Sequence, residues 1–299
     1  GMFLAFAFVL PSVSAQEENP LTPTPESSIT PEATPTMEAT PEPPPTLEIP
    51  LGNETQPQAR IQAAAPSSGA LSTQINISNT VDESFKSKLA TDINGIEHVV
   101  WREFVNGKQD ILYSRYDGIN WSLPVIVSYG SSFNSDSPKL VTDSVGVAHI
   151  VWQEADNDHA DDFETLYSRC DETGCTSPVT LSDGQVCGSS VYDWKGVDPT
   201  IGIDGNDQLM AAWMSYEPGR IYMMYSLWSS SDVPPTSRTG CHVNSGLYAY
   251  PMVTGDSNGN FHVAMMSYSY GIYYSNFING NWSSLQNIGS GLFPVLYID

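Results

Sequence analysis

The chain has 299 residues, 40% of them hydrophobic and 15% charged, and a formal net charge of −23. Thirty-four carboxylates against eleven lysines and arginines make nucleic acid and anionic membrane surfaces poor partners. After the first dozen residues no stretch is long and apolar enough for a transmembrane helix, so no membrane insertion is expected of the visible chain.

Residues 1–15 read as a secretory signal peptide. The apolar run from Phe3 to Leu10 is too short to span a bilayer, and Val13, Ser14 and Ala15 put small residues where cleavage before Gln16 needs them. A charged start is missing, so the leader is expected to begin upstream. Residues 16–66 hold twelve prolines, eight glutamates, one arginine and no aromatic residue. Such a segment cannot bury enough apolar surface to offset chain entropy; it reads as a disordered, polyproline-like spacer. Residues 67–299 carry 29 of the 32 aromatic residues and form one large all-β domain.

Five segments of that domain share a register: Lys86–Asp92, Ser137–Asp143, Asp198–Asp204, Tyr250–Asp256 and Phe293–Asp299. Four have Pro at the second position, where it can open a strand without losing a ladder bond. Three residues after the closing Asp stand Gly95, Gly146, Asp207 and Gly259, in a turn. Six after it stand His98, His149, Met210 and His262, and nine after it Trp101, Trp152, Trp213 and Met265. A third strand carries Tyr-Ser at 113–114, 167–168, 225–226 and 274–275, and a fourth follows at 125–128 and 178–182. Four short strands per repeat at a period of roughly 40–60 residues, with no helical periodicity, specify the blades of a β-propeller. Four blades are complete and a fifth begins at 293. Residues 74–78 match the fourth-strand pattern and are expected to close the ring. Ending on the first strand of a fifth repeat leaves an open edge, so the chain is expected to continue to six blades.

Ser114-Arg-Tyr-Asp-Gly-Ile-Asn-Trp121 resembles the Asp-box, the bacterial neuraminidase repeat, with Ser114, Gly118 and Trp121 in place and Asp117 one position late. The segment from Ser275 to Trp282 keeps the Ser and the Trp. The domain is therefore similar to the sialidase-like six-bladed propeller superfamily. That resemblance implies Asp-box hairpins on the face away from the ligand. An active sialidase of this kind needs three arginines on the substrate carboxylate, a Tyr–Glu nucleophile pair and an Asp acid/base. The family's Phe-Arg-Ile-Pro motif is absent. Arg115 and Arg169 head toward the hairpin face, whereas Arg102 and Arg220 are expected in loops between second and third strands on the ligand face.

Other ligand-face positions follow from the register. The insertion 183–197 brings Tyr192 and Trp194, and the loop before the fourth repeat brings Tyr248 and Tyr250; aromatic residues there suit sugar stacking or simply cover a blade junction. The acidic loop 154–164 offers Asp156, Asp158, Asp161 and Asp162, either as a solvated loop or as hard oxygen ligands for Ca²⁺, the one cofactor the chain suggests. His98, His149 and His262 occupy equal positions in different blades and are kept apart, which suits packing rather than zinc. Of the four cysteines, Cys170 and Cys175 flank one hairpin, and Cys187 and Cys241 flank the third blade; pairing them so fits an oxidising compartment.

The favoured reading is a secreted or surface-displayed monomer that binds an extracellular glycan or surface protein, with no catalytic residues assigned. The alternative is a divergent sialidase or other glycoside hydrolase.

Overall fold

The computed structural model describes residues 75–78, 80, 83–155, 163–182, 196–217, 220–232, 240–242, 248–267, 269–292 and 294–297; for residues 216, 217, 220, 248 and 249 the backbone alone is described. The signal-peptide and spacer expectations for 1–66 lie outside these residues. The chain divides into two units, Gly1–Ser68 and Gly69–Asp299, and every described residue belongs to the second.

Every regular element among the described residues is a strand. The first sheet comprises β1 (Ser84–Thr91), β2 (Glu97–Val105), β3 (Lys108–Tyr116) and β4 (Val125–Ile126), in that order. The second has β5 (Ser135–Thr142), β6 (Ala148–Ala155) and β7 (Phe163–Asp171), with β8 (Gly174–Cys175) and β9 (Val179–Thr180) both on β7. The third has β10 (Val197–Ile203), β11 (Gln208–Glu217), β12 (Arg220–Ser229) and β13 (Gly240–His242). The fourth has β14 (Tyr248–Gly255), β15 (Phe261–Ser267) and β16 (Gly271–Ile278), with β17 (Asn281–Trp282) and β18 (Gln286–Ser290) on β16. All pairings are antiparallel. This is a β-propeller of four-stranded blades. Residues 75–78 correct one expectation: they form no strand. Asn76, Ser78 and Thr80 bond to one another's side chains or backbone, which competes with a ladder.

Period-2 alternation builds the cores between blades. On β6, Ile150 and Trp152 face the first sheet and pack with Val100, Ile111, Tyr113 and Val127. Val151, on the opposite side, packs with Ile201, Ala211, Trp213 and Met224 of the third. Met210, Ala212 and Met223 then meet Val253, Val263 and Met265 of the fourth. In the second, third and fourth sheets the residue nine positions after the repeat Asp looks back at the preceding sheet. Trp101, in the first sheet, instead joins Val99, Leu112 and Ile77.

The repeat Asp earns its place by organising a turn. In each sheet its Oδ1 accepts the backbone N–H groups two and four residues on, as Asp92 does from Asn94 and Ile96 and Asp204 from Asn206 and Gln208. Its carbonyl accepts from residue i+3, which sits at positive φ: Gly95 (78°), Gly146 (86°), Asp207 (57°) and Gly259 (84°). These turns interlock. A Cβ on Gly146 would lie 2.5 Å from Asp92 Oδ2, and Ser144 N–H donates to Asp207 Oδ1 at 2.9 Å.

The histidines complete the turn, as expected of a packing role. His149 Nε2 stands 3.2 Å from Asp143 Oδ2, and its Nδ1 2.7 Å from the Tyr167 hydroxyl. His262 repeats this with Asp256 and Tyr274, and His98 with Tyr113 and, at 3.5 Å, Asp92. Burial holds His98 and His149 below the usual imidazole range, against the pull of their aspartates. The neutral His149 ring therefore donates from Nε2 to Asp143 and accepts the Tyr167 proton at Nδ1. Consistently, burial raises Tyr167 to about 12.

Candidate functional site at the mouth of the central cavity

The innermost strands β1, β5, β10 and β14, joined by residues 294–297, line a central cavity of about 710 Å³. That lies within the usual range for small-molecule sites. Each inner strand carries the same irregularity near its start. Lys86 (φ 53°), Ser137 (55°), Asp198 (49°) and Tyr250 (54°) are left-handed, and the register slips there in all four sheets. Such a bulge re-aims side chains, and it puts four chemically different residues on one backbone posture, of which Asp198 and Tyr250 line the cavity.

Between the first two blades the bulge region is ionic. Asp136 Oδ2 lies 2.7 Å from Lys86 Nζ, and its Oδ1 lies 3.1 Å from an Arg102 guanidinium nitrogen. Lys86 Nζ also donates to Ser137 Oγ at 3.1 Å. Arg102 stacks over Phe85, 4.8 Å from the ring centroid. Further along the inner strands, Lys88 and Lys139 line the cavity from adjacent blades. Burial lowers the Lys139 ammonium below the usual lysine range; Lys88 and Lys86 push the same way, and Asp198 and Asp136 oppose. Burial raises Asp198, with Lys139 and Lys86 opposing. Its backbone N–H donates to Gln153 Oε1 at 2.9 Å.

The structure relocates two expected residues. Arg102 is not in a loop between second and third strands: it lies within β2, paired with Phe85 and Ile111. The link from β2 to β3 is a two-residue Asn106-Gly107 turn with both residues at positive φ, too tight to hold it. Arg220 likewise opens β12, opposite Glu217. Tyr250 lines the cavity, and Tyr248 begins β14. Tyr192, Trp194, Asp156, Asp158, Asp161 and Asp162 lie outside the described residues. Among the described residues no group of three His, Cys, Asp or Glu side chains is placed to hold a metal. Arg115 and Arg169 brace the hairpin side, reaching Glu172 at 3.8 Å and the Ser230 carbonyl at 3.4 Å.

Cys170 and Cys175 form a disulfide across the β7–β8 hairpin. Cys241 is disulfide-bonded as well; Cys187, its expected partner, lies outside the described residues. Sequence reasoning passed over Lys88, Lys139, Asp136 and Asp198. A signal existed: Lys88 and Lys139 stand four residues before the repeat Asp in consecutive blades, and that position faces the axis.

Neither a protein-family model nor a curated protein sequence matches the chain. Solved structures do. A crystal structure of a protein of unknown function from Dyadobacter fermentans DSM 18053 has a TM-score of 0.51 at 10% identity, over 72% of this chain and 70% of that one. A thermostable family-43 glycoside hydrolase has a TM-score of 0.46 at 10% identity, over 72% and 78%. The leech intramolecular trans-sialidase has 0.48 at 10% identity, over 69% of this chain and 51% of the other. At such identities the likeness is one of fold.

Proposed function

We propose that the chain is an extracellular glycan-binding propeller whose ligand sits at the mouth of the central cavity. The observation that carries this reading is the cavity itself. It is of ligand size and pairs aromatic faces, Tyr250 and Tyr297, with hydrogen-bonding and charged side chains from several blades. Sugars are held by that combination, rings on C–H faces and polar groups on hydroxyls. The Cys170–Cys175 disulfide fits an oxidising compartment, and the leader-like residues 1–15 fit export. A glycan array probed with the whole chain should give reproducible binders, and Tyr250→Ala should weaken them about tenfold. An array without binders removes the reading.

Hydrolysis is the second reading, and Asp198 favours it: burial raises this carboxyl above the usual carboxylate range beside a cavity, the direction a general acid requires. Release of the fluorophore from aryl glycosides, sialosides included, abolished by Asp198→Asn, would establish turnover. A signal equally strong in that variant would exclude this residue as the acid.

A further inference from the structure

Resting on the glycan-binding reading, we infer that the cavity selects an acidic ligand, a sugar whose carboxylate or sulfate is held between the ammonium groups of Lys88 and Lys139.

Charge placement carries this. In a chain of net charge −23, Lys86, Lys88, Arg102 and Lys139 are four of only eleven lysines and arginines, and all stand on or beside the inner strands of the first two blades. They divide into two kinds. Lys86 and Arg102 are spent on Asp136, one on each carboxylate oxygen. Lys88 and Lys139 make no ion pair or hydrogen bond within the described residues, yet both line the cavity. Lys139 feels the charge of Lys88, and Asp198, the larger of the opposing acidic influences, forms an ion pair with neither. Two like charges lining one cavity, Lys139 half-buried and Lys88 exposed, repel each other. An anion between them reverses the sign of that interaction and adds charge-assisted hydrogen bonds. Lysine heads are point charges on flexible stems, so they accept the tetrahedral sulfate as readily as the planar carboxylate. At equal positions the third blade has Thr200 and the fourth Met252. The cationic positions are therefore confined to the first two blades, and Tyr250 lines the same cavity from the fourth.

The test is calorimetric titration of the whole chain at pH 7 with tetragalacturonate, a chondroitin-sulfate tetrasaccharide and neutral xylotetraose, in low and moderate salt. The expected result is that at least one acidic oligosaccharide binds tenfold or more tighter than the neutral one, with an affinity that falls as salt rises. Lys139→Gln and Lys88→Gln should each remove most of that preference while leaving the melting curve near wild type. The two acidic probes tell carboxylate from sulfate. Equal affinity for neutral and acidic probes, or a preference unchanged in the double variant, overturns the inference and leaves glycan binding intact. Should none of the three probes bind while a neutral glycan on the array does, the inference alone falls. An empty array together with no binding here ends both.

Discussion

Asp143, His149 and Tyr167 form a proton ladder in a dry joint, and its chemistry has a sign. His149 is held below its unfolded value of 6.5 by burial, so the unfolded chain binds its proton first as pH falls. Stability contributed by the neutral ring is therefore present above about pH 6.5 and is lost progressively below it. Asp143 is also held low, so its contribution is lost at still lower pH, in the same direction. The melting temperature should fall between pH 7 and 5, and His149→Met, which copies the third blade's Met210, should flatten that fall in circular-dichroism melts. An unchanged slope would locate the acid sensitivity elsewhere. The sequence showed these histidines as repeat positions, but their partners emerge only with the strands paired, because Asp and Tyr lie on different strands from different turns.

At the scale of the element, much was legible and the exceptions are instructive. Strand number, order and the inward-facing tryptophans follow from the register of Asp92, Asp143, Asp204 and Asp256 together with alternation. The left-handed bulge does not follow. Three of its four residues precede proline, a position ordinarily biased to extended backbone, so local rules point away from what the ring imposes. Arg102 was misplaced for a related reason: Asn106-Gly107 marks a tight hairpin, which leaves β2 long enough to contain it. Residues 75–78 look like a strand by composition, but their short polar side chains bond locally instead. Two tests belong here. Trp152→Ala empties a site that is wholly buried between two blades and should cost about 3–5 kcal/mol in urea unfolding. Replacing Cys170 and Cys175 by serine opens a short loop and should cost about 2 kcal/mol; no change would mean the hairpin is held by its ladder alone.

For the described domain as a whole, the three larger cores are each shared between neighbouring sheets. The larger clusters are not owned by single sheets: the second blade divides its apolar residues between the first and third, and the third between the second and fourth. The turns interlock in parallel, Gly146 against Asp92 and Ser144 against Asp207. Unfolding should accordingly be one transition, with tryptophan fluorescence and amide exchange in β2, β6, β11 and β15 giving coincident midpoints. A first blade that exchanges early would show that its shared core is the weakest. The candidate site inherits this coupling. Its residues come from all four inner strands, which explains why no single segment announced it and why Lys88 and Lys139 meet only once adjacent blades are packed.

The bulge residues Lys86, Ser137, Asp198 and Tyr250 share one dihedral state while sharing no chemistry. The frame has already accepted a cation, a hydroxyl, an acid and a phenol at equivalent addresses, each bearing the same left-handed strain of order 1–2 kcal/mol. Swapping residues among these four positions rewrites what the ring displays to a ligand without asking the backbone for anything new, so specificity here behaves as a lettering on a fixed dial, separable from the stability of the dial itself.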